Sequence, residues 1–375
     1  DNNEIDLRGN NAITTSGGHI WMGGGANSTT WSDISVGDGY AYRSYNDYGA
    51  VYLRNNTRLN SGNGNILIKG QGGAYAADYG IQSNNQMLVD SGTGTISFDG
   101  KSAASIGINL GVGSSPNIAI TSASTSVNAV SMTGITSASN WAINLDNASG
   151  GGNILIQSTA STGGGVQIVG TSAGNLGLHN RINSGRTQIL SKSGDISITT
   201  NSTTASGGGF AVRSQNGFYI GERFDGTAVN GVTPVAGFTG NITLSSADDI
   251  DSEDGLFLRS ASVGGGNITI TANRPSVNSG TRQISTSGAV TIQSRGDDFT
   301  AAFSTSGWTF GSGISSLTIG KSATGADGTS DADVTIASAL SVAGPVNVYG
   351  SKLTLSADVA VTNASALSLF ASKDI

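Results

Sequence analysis

The densest group of chemistry-bearing side chains in this 375-residue chain is Asp248-Asp249-Ile250-Asp251-Ser252-Glu253-Asp254-Gly255. Several carboxylates in one loop make a donor set for calcium, which takes oxygen ligands; Asp248, Asp249 and Asp251 are the candidates. The spacing fits neither the EF-hand loop nor the Gly-Gly-x-Gly-x-Asp calcium repeat, so a solvated acidic loop is the plainer reading. The same aspartates are the only foothold for an enzyme. Parallel β-helix polysaccharide lyases and hydrolases place carboxylates on an outer face as general acid and base or around calcium. No second carboxylate cluster or aromatic sugar platform lies beside these three in sequence.

Two other groups suit binding rather than turnover. Tyr40, Tyr42, Tyr45, Tyr48 and Tyr52, with Trp31 and Arg43 nearby, can stack on sugars or anchor a protein partner; alternatively they cover the first strands of the fold. Arg295-Gly296-Asp297 follows a strand-like segment at an expected exposed turn and is a candidate binding tripeptide. Gly170-Thr171-Ser172-Ala173-Gly174 has the nucleophile-elbow pattern without its strand–elbow–helix setting. His19 and His179 are far apart, lack metal-ligand spacing and read as surface or turn residues. Asn-x-Ser/Thr triplets follow from Asn, Ser and Thr richness. No cofactor other than that calcium is implied.

The elements that must position these residues are repeats. Gly266-Asn267-Ile268-Thr269-Ile270 returns as Gly64-Asn65-Ile66-Leu67-Ile68, Gly94-Thr95-Ile96-Ser97-Phe98 and Gly152-Asn153-Ile154-Leu155-Ile156. It returns again at Gly194-Asp195-Ile196, Gly240-Asn241-Ile242 and Gly288-Ala289-Val290, with a looser copy at Pro116-Asn117-Ile118. Apolar and small residues alternate, the period of a strand buried on one face. The leading Gly-Asn tolerates the left-handed backbone of a sharp corner. Asn65, Asn153, Asn241 and Asn267 then occupy equivalent corners, where they either form hydrogen-bond ladders or only favour the turn. Gly255 to Arg259 before Gly266 repeats Gly49 to Arg54 before Gly64, so paired strands predict two walls of one coil.

Copies beginning at 66, 96, 118, 154, 196, 242, 268, 290 and 317 are unevenly spaced. Gaps of 22, 26 and 27 suit one coil, whereas 36, 42 and 46 require two coils or a long loop. Residues 1–60 read as an irregular start or cap and 61–375 as a continuous solenoid, with insertions expected at 201–239 and 297–313. Roughly 15 coils at strand spacing give a rod on the order of 70 Å long.

Fifty-seven glycines with four prolines supply many turns without collagen's period. A net charge of −7 argues against nucleic acid as a partner. No apolar run is long enough for a membrane span, and the absence of cysteine removes disulfides and thiolate chemistry. The start at Asp1-Asn2-Asn3-Glu4 does not resemble a signal peptide, and alternation continues from Ser365 to Phe370; the expectation is a segment of a longer protein.

Repeats such as Gly152 to Ser158 and Ser193 to Ile198 resemble those of filamentous haemagglutinin-type adhesins, the exoproteins of bacterial two-partner secretion. The likeness spans roughly residues 60–375 and concerns the repeat class. It implies an all-β chain folded as a right-handed parallel β-helix (β-solenoid) with loop insertions, the hand also following the usual crossover rule. It further implies an extracellular or bacterial cell-surface fibre, non-enzymatic, that presents loops to a host or neighbouring cell-surface protein or glycan. A structural filament associating end to end, and a polysaccharide-degrading β-helix enzyme, are the alternatives.

Overall fold

The computed structural model describes residues 4–374 except 46–47, 148–151, 183–184, 203–208, 213–216, 254, 278–279 and 322–331. Its strands stack in parallel columns along one axis. The clearest column runs Ile20, Ile66, Ile96, Val130, Val166, Ile196, Ile242, Ile268, Val290, Leu317, Val346, Leu367, each residue paired in register with the next. These twelve rungs form one wall of a parallel β-solenoid.

Two further walls complete each coil, so the paired strands are two of its three walls. One carries Ile5, Val51, Ile81, Ile108, Ile143, Leu178, Phe210 and Ile250 in register. The next carries Ile13, Leu59, Val89, Ile120, Ile156, Ile189, Ile220, Leu258, Ile284 and Phe310. In chain order these are the first and second walls, and the column from Ile20 is the third. The strands Tyr79–Asp90 and Ile108–Ser122 each run from first wall to second through a register shift. The three inner faces enclose one apolar core from Ile20 to Leu353. Twelve coils rather than fifteen make a rod of about 55 Å at ordinary strand spacing.

The uneven spacing has a simple origin. Ile118 and Ile154 belong to the second wall, where they pair with each other; the third-wall equivalents in those coils are Val130 and Val166. The 36-residue step between them is one coil, and the 42-residue step crosses from one wall to another. The 46-residue step from Ile196 to Ile242 is a single coil carrying an insertion. That insertion is narrower than 201–239, because Gly209–Val212 and Phe218–Gly221 are first- and second-wall strands. Residues 222–235 leave the coil and lie on the outer face of the second wall, before Phe238 returns to the core. There Val229, Val232 and Val235 cover Leu88, Ala119, Leu155 and Leu190, and Gln157 bonds the backbone of Thr233 and Val235. Residues 297–313 are mostly coil: Phe299, Phe303, Trp308 and Phe310 are core aromatics. The expected irregular start is also largely coil, since strands pair in register from Ile5.

The motif glycines meet a different demand from the one expected. Gly64, Gly94, Gly240, Gly266 and Gly288 are absent from the left-handed positions, which include Gly62 and Gly92 two residues earlier. A Cβ on Gly94 would lie 2.0 Å from the Gly64 carbonyl oxygen, and one on Gly266 2.1 Å from that of Gly240. Each glycine therefore lets one coil's corner rest on the next.

Ile270→Ala, at a fully buried inward position, should cost about 2–5 kcal/mol in denaturant unfolding. Thr269→Ala, one residue away on the outer face, should change stability by less than about 0.5 kcal/mol. Gly266→Ala should cost at least about 1–3 kcal/mol through overpacking. Equal effects at 269 and 270 would contradict the alternation.

Candidate functional site

The tyrosines meet at the corner where the third wall turns into the first. After the strand Ile20–Met22 the chain leaves the wall, forms the antiparallel pair Thr29–Trp31 and Ile34–Val36, and returns as Ala41–Arg43. That strand lies beside the second half of Ile66–Gly72, with Ala41 opposite Gly70 and Arg43 opposite Gly72. Apolar Ala41 and the Arg43 stem face inward on alternate positions, which turns Tyr42 outward.

Tyr40, Tyr48 and Tyr52 are tied into the scaffold. The Tyr40 ring has the Lys69 and Lys101 ammonium groups 4.6 and 4.2 Å from its centroid, and its hydroxyl donates to the Asp99 carboxylate. Burial, then that hydrogen bond, pushes the Tyr40 phenol well above its ordinary value. Tyr48 stacks on buried Tyr52 at 5.1 Å, with the Arg54 guanidinium 4.4 and 4.1 Å from the two rings. Asp6 holds Arg54 at 2.8 Å. Buried Arg43 pairs with Glu4 and donates to the Tyr45 carbonyl at 2.9 Å.

Other rings stand free of this framework. Tyr45 is 68% exposed, and Tyr42 and one side of Tyr48 are open to solvent. Tyr75, which the sequence reading did not single out, joins them at 52% exposure. Its loop meets the first one where the Gly73 amide donates to the Arg43 carbonyl at 2.7 Å. The available signal was position: Gly72-Gly73-Ala74-Tyr75 leaves the end of the third wall as the Tyr40–Tyr48 stretch does one coil earlier.

Arg295, Gly296 and Asp297 form an exposed bend after the strand Ala289–Gln293. The Arg295 guanidinium reaches along the wall to the Thr200 carbonyl at 3.4 Å and the Asn201 side-chain oxygen at 3.2 Å. Gly296 stands in open space, and its carbonyl accepts a hydrogen bond from Ser294 Oγ at 2.9 Å. The tripeptide leaves the end of the third wall, as the Tyr75 loop does, but seven rungs further along.

The acidic residues are a strand, Asp249–Ser252, rather than the expected loop. Ile250 points into the core, which turns Asp249 and Asp251 outward. Arg274, paired opposite Asp249 in the next coil, clasps its carboxylate with two nitrogens. Burial pushes the Asp249 carboxyl up, Arg274 opposes this, and neighbouring Asp248 adds to the rise. Asp251 favours the charged form of Arg282, a buried guanidinium beside Trp308 whose pKa desolvation lowers to about 10. Of the three proposed calcium ligands, Asp249 and Asp251 thus lie on a strand whose partners include Arg274, and Asp248 lies in the bend before it. Among the described residues no group of three or more His, Asp or Glu converges as a metal site.

The histidines and asparagines serve the stacking. His179 is 2% exposed within a strand, not a surface turn residue as expected. Its Nδ1 lies 2.8 Å from the Asn144 side-chain oxygen, Asn144 donates onward to Asn109, and Trp141 stacks on the imidazole at 3.9 Å. His19 Nδ1 accepts from the Asn65 amide, and the Asn65 side chain accepts from the Thr95 amide. Asp195, Asn241 and Asn267 repeat this relay into the Asn241, Asn267 and Ala289 amides. Asn153 belongs to another corner, at the start of the second wall, where it accepts from Arg186. Ser172, of the nucleophile-like pattern, is buried and donates to the Asn140 carbonyl at 2.7 Å.

No protein-family model, curated protein or solved structure matches this chain.

The folded-state pKa of Tyr40 lies above the ordinary 10.0. The native state therefore favours the protonated phenol, and the stability this gives is complete below about pH 10 and lost as pH rises beyond it. Urea unfolding between pH 8 and 11 should show stability falling at the alkaline end, with a shallower fall in Tyr40→Phe. At pH 8 the same variant should cost about 1 kcal/mol for the lost hydrogen bond. An alkaline limb as steep in Tyr40→Phe as in the unmodified protein would refute the assignment.

Proposed function

We propose that this chain is a structural and adhesive segment of an extracellular or bacterial cell-surface fibre. Its mechanism is presentation: a stiff solenoid carries exposed loops at fixed positions, and a cell-surface protein or glycan docks on them without turnover. The observation that carries this reading is the tyrosine corner, where Tyr45, Tyr48 and Tyr75 are open on two loops joined by a backbone hydrogen bond and Tyr42 faces outward from the strand beside them. Tyrosine supplies a broad amphipathic contact surface with few torsions to immobilise, and Gly, Ser and Asn beside it supply adaptable polar groups. The first loop has this composition, and the second sets Tyr75 among glycines and alanines. The resemblance of the repeats to filamentous haemagglutinin-type adhesins agrees with it. Several such contacts along one fibre reinforce each other through effective concentration.

Immobilised protein should retain cells or glycans from an arrayed panel, and Tyr45→Ala combined with Tyr75→Ala should weaken that retention at least about tenfold, the scale of a hot-spot residue. Its thermal melting should stay unchanged, because both rings are exposed. Asp297→Glu, compared in parallel, reports on the tripeptide: retention lost there and kept in the double tyrosine variant would move the binding face to residues 295–297. Turnover of a polysaccharide, lost in Asp249→Asn, would replace the adhesive reading with the enzymatic one.

A further inference from the structure

The second wall carries a cover that the chain itself supplies. Counting coils from Ile5, residues 222–235 leave the seventh coil after the strand Phe218–Gly221. The chain rejoins that same coil at Phe238, which is buried in the core ahead of the third-wall strand Ile242–Ser246. At the tip, Val229 and Val232 exchange two backbone hydrogen bonds of 2.9 Å. Asn230 and Gly231 between them have φ values of 49° and 80°, the two left-handed residues of a tight hairpin turn. The segment is therefore a hairpin of fixed shape with both ends rooted in one coil.

What it rests on belongs to other coils. Leu88, Ala119 and Leu155 pair in register along the outer side of coils three, four and five, and Leu190 stands on coil six. These four form one apolar cluster with Val229, Val232 and Val235. Polar contacts fasten the same layer. Gln157, on coil five, accepts from the Val235 amide at 2.8 Å and donates to the Thr233 carbonyl at 3.2 Å. It is buried although it sits on an outer face, because the hairpin lies over it. On coil six, Gln188 accepts from the Phe224 amide at 2.9 Å, and Arg186 holds the Asp225 carboxylate at 2.8 Å.

In a solenoid each repeat ordinarily touches only its neighbours, so stability is a sum of nearest-neighbour terms and one coil opens without disturbing another three away. The hairpin departs from that rule. Coil three cannot shift against coil six without shedding the hairpin from one of them. We propose that the hairpin is a brace that couples coils three to seven into one cooperative unit. Opening any of these coils then disrupts the shared apolar layer as well as the coil's own stacking. This inference stands independently of the tyrosine corner and of any partner bound there.

Hydrogen exchange of the full chain, read by mass spectrometry, tests the coupling with Val89→Ala, which removes fully buried core volume from coil three. Exchange should rise in the adjacent coils and also at Arg186–Ser191 in coil six, there by at least about twofold, the lower end of coupling between sites that share partners. With residues 223–235 replaced by a short Gly-Ser linker, Val89→Ala should still loosen Ile108–Ser122 next to it and leave Arg186–Ser191 unchanged. Circular dichroism checks that each protein keeps its β signal. Gly231→Val, which strains the left-handed turn while leaving the apolar cover in place, substitutes for the linker protein if that one does not fold. A Val89→Ala effect confined to coils two to four with the hairpin intact, or one undiminished at residues 186–191 once the hairpin is removed or strained, would overturn the proposal.

Discussion

Close approach of backbone to backbone at the corners is the constraint on which everything else depends. Strands in adjacent coils pair in register only if the turns between them also stack, and a turn stacks only if nothing projects from it along the axis. Gly64, Gly94, Gly240, Gly266 and Gly288 meet that demand, each resting near the carbonyl of the glycine one coil back. Asn65, Asn241 and Asn267 then use the short distance between corners, passing a side-chain oxygen to the next coil's amide. With the corners aligned, inward Ile, Val and Leu meet their equivalents automatically, each fully buried side chain adding about 1.5–3 kcal/mol.

The outer faces of the three walls are used differently. Along the first, Asn109, Asn144 and His179 form a buried hydrogen-bonded line beneath Trp141. Along the second, an apolar stripe from Leu88 to Leu190 lies under the insertion that follows Gly221. The third shows Ser197, Thr243, Thr269, Thr291 and Thr318 in register on its outer side. Two of three walls are therefore occupied in part by the chain's own side chains, and the two most exposed rings, Tyr45 and Tyr75, stand on loops at a corner. There a rigid inner layer of Tyr40, Tyr48, Tyr52, Arg43 and Arg54 supports an outer layer that faces solvent.

Charge is managed by the same stacking. Asp249 and Arg274 are neighbours only because their strands are consecutive in the first wall, though a full coil of sequence separates them. Tyr40 and Asp99 meet because an excursion from the first coil returns over the third wall. Such pairs convert what looks like an acidic run or an aromatic run into cross-coil fastening.

What the sequence determined by itself was the local unit: alternation in Ile268-Thr269-Ile270 specifies a strand with one buried face, and its recurrence specifies a stack. Those are short-range properties, expressed wherever the motif occurs. The sequence could not say which wall a copy belongs to, since Ile118 and Ile66 open equally good strands and only pairing separates them. Nor could it distinguish a glycine needed for left-handed backbone from one needed for lack of a Cβ, because the second requirement comes from a neighbouring coil. The merging of Tyr75 with the Tyr40–Tyr48 stretch and the capture of Asp249 by Arg274 were hidden for the same reason. Each joins residues whose separation along the chain is one whole coil, a distance that loops of varying length make unreadable until the coils are stacked.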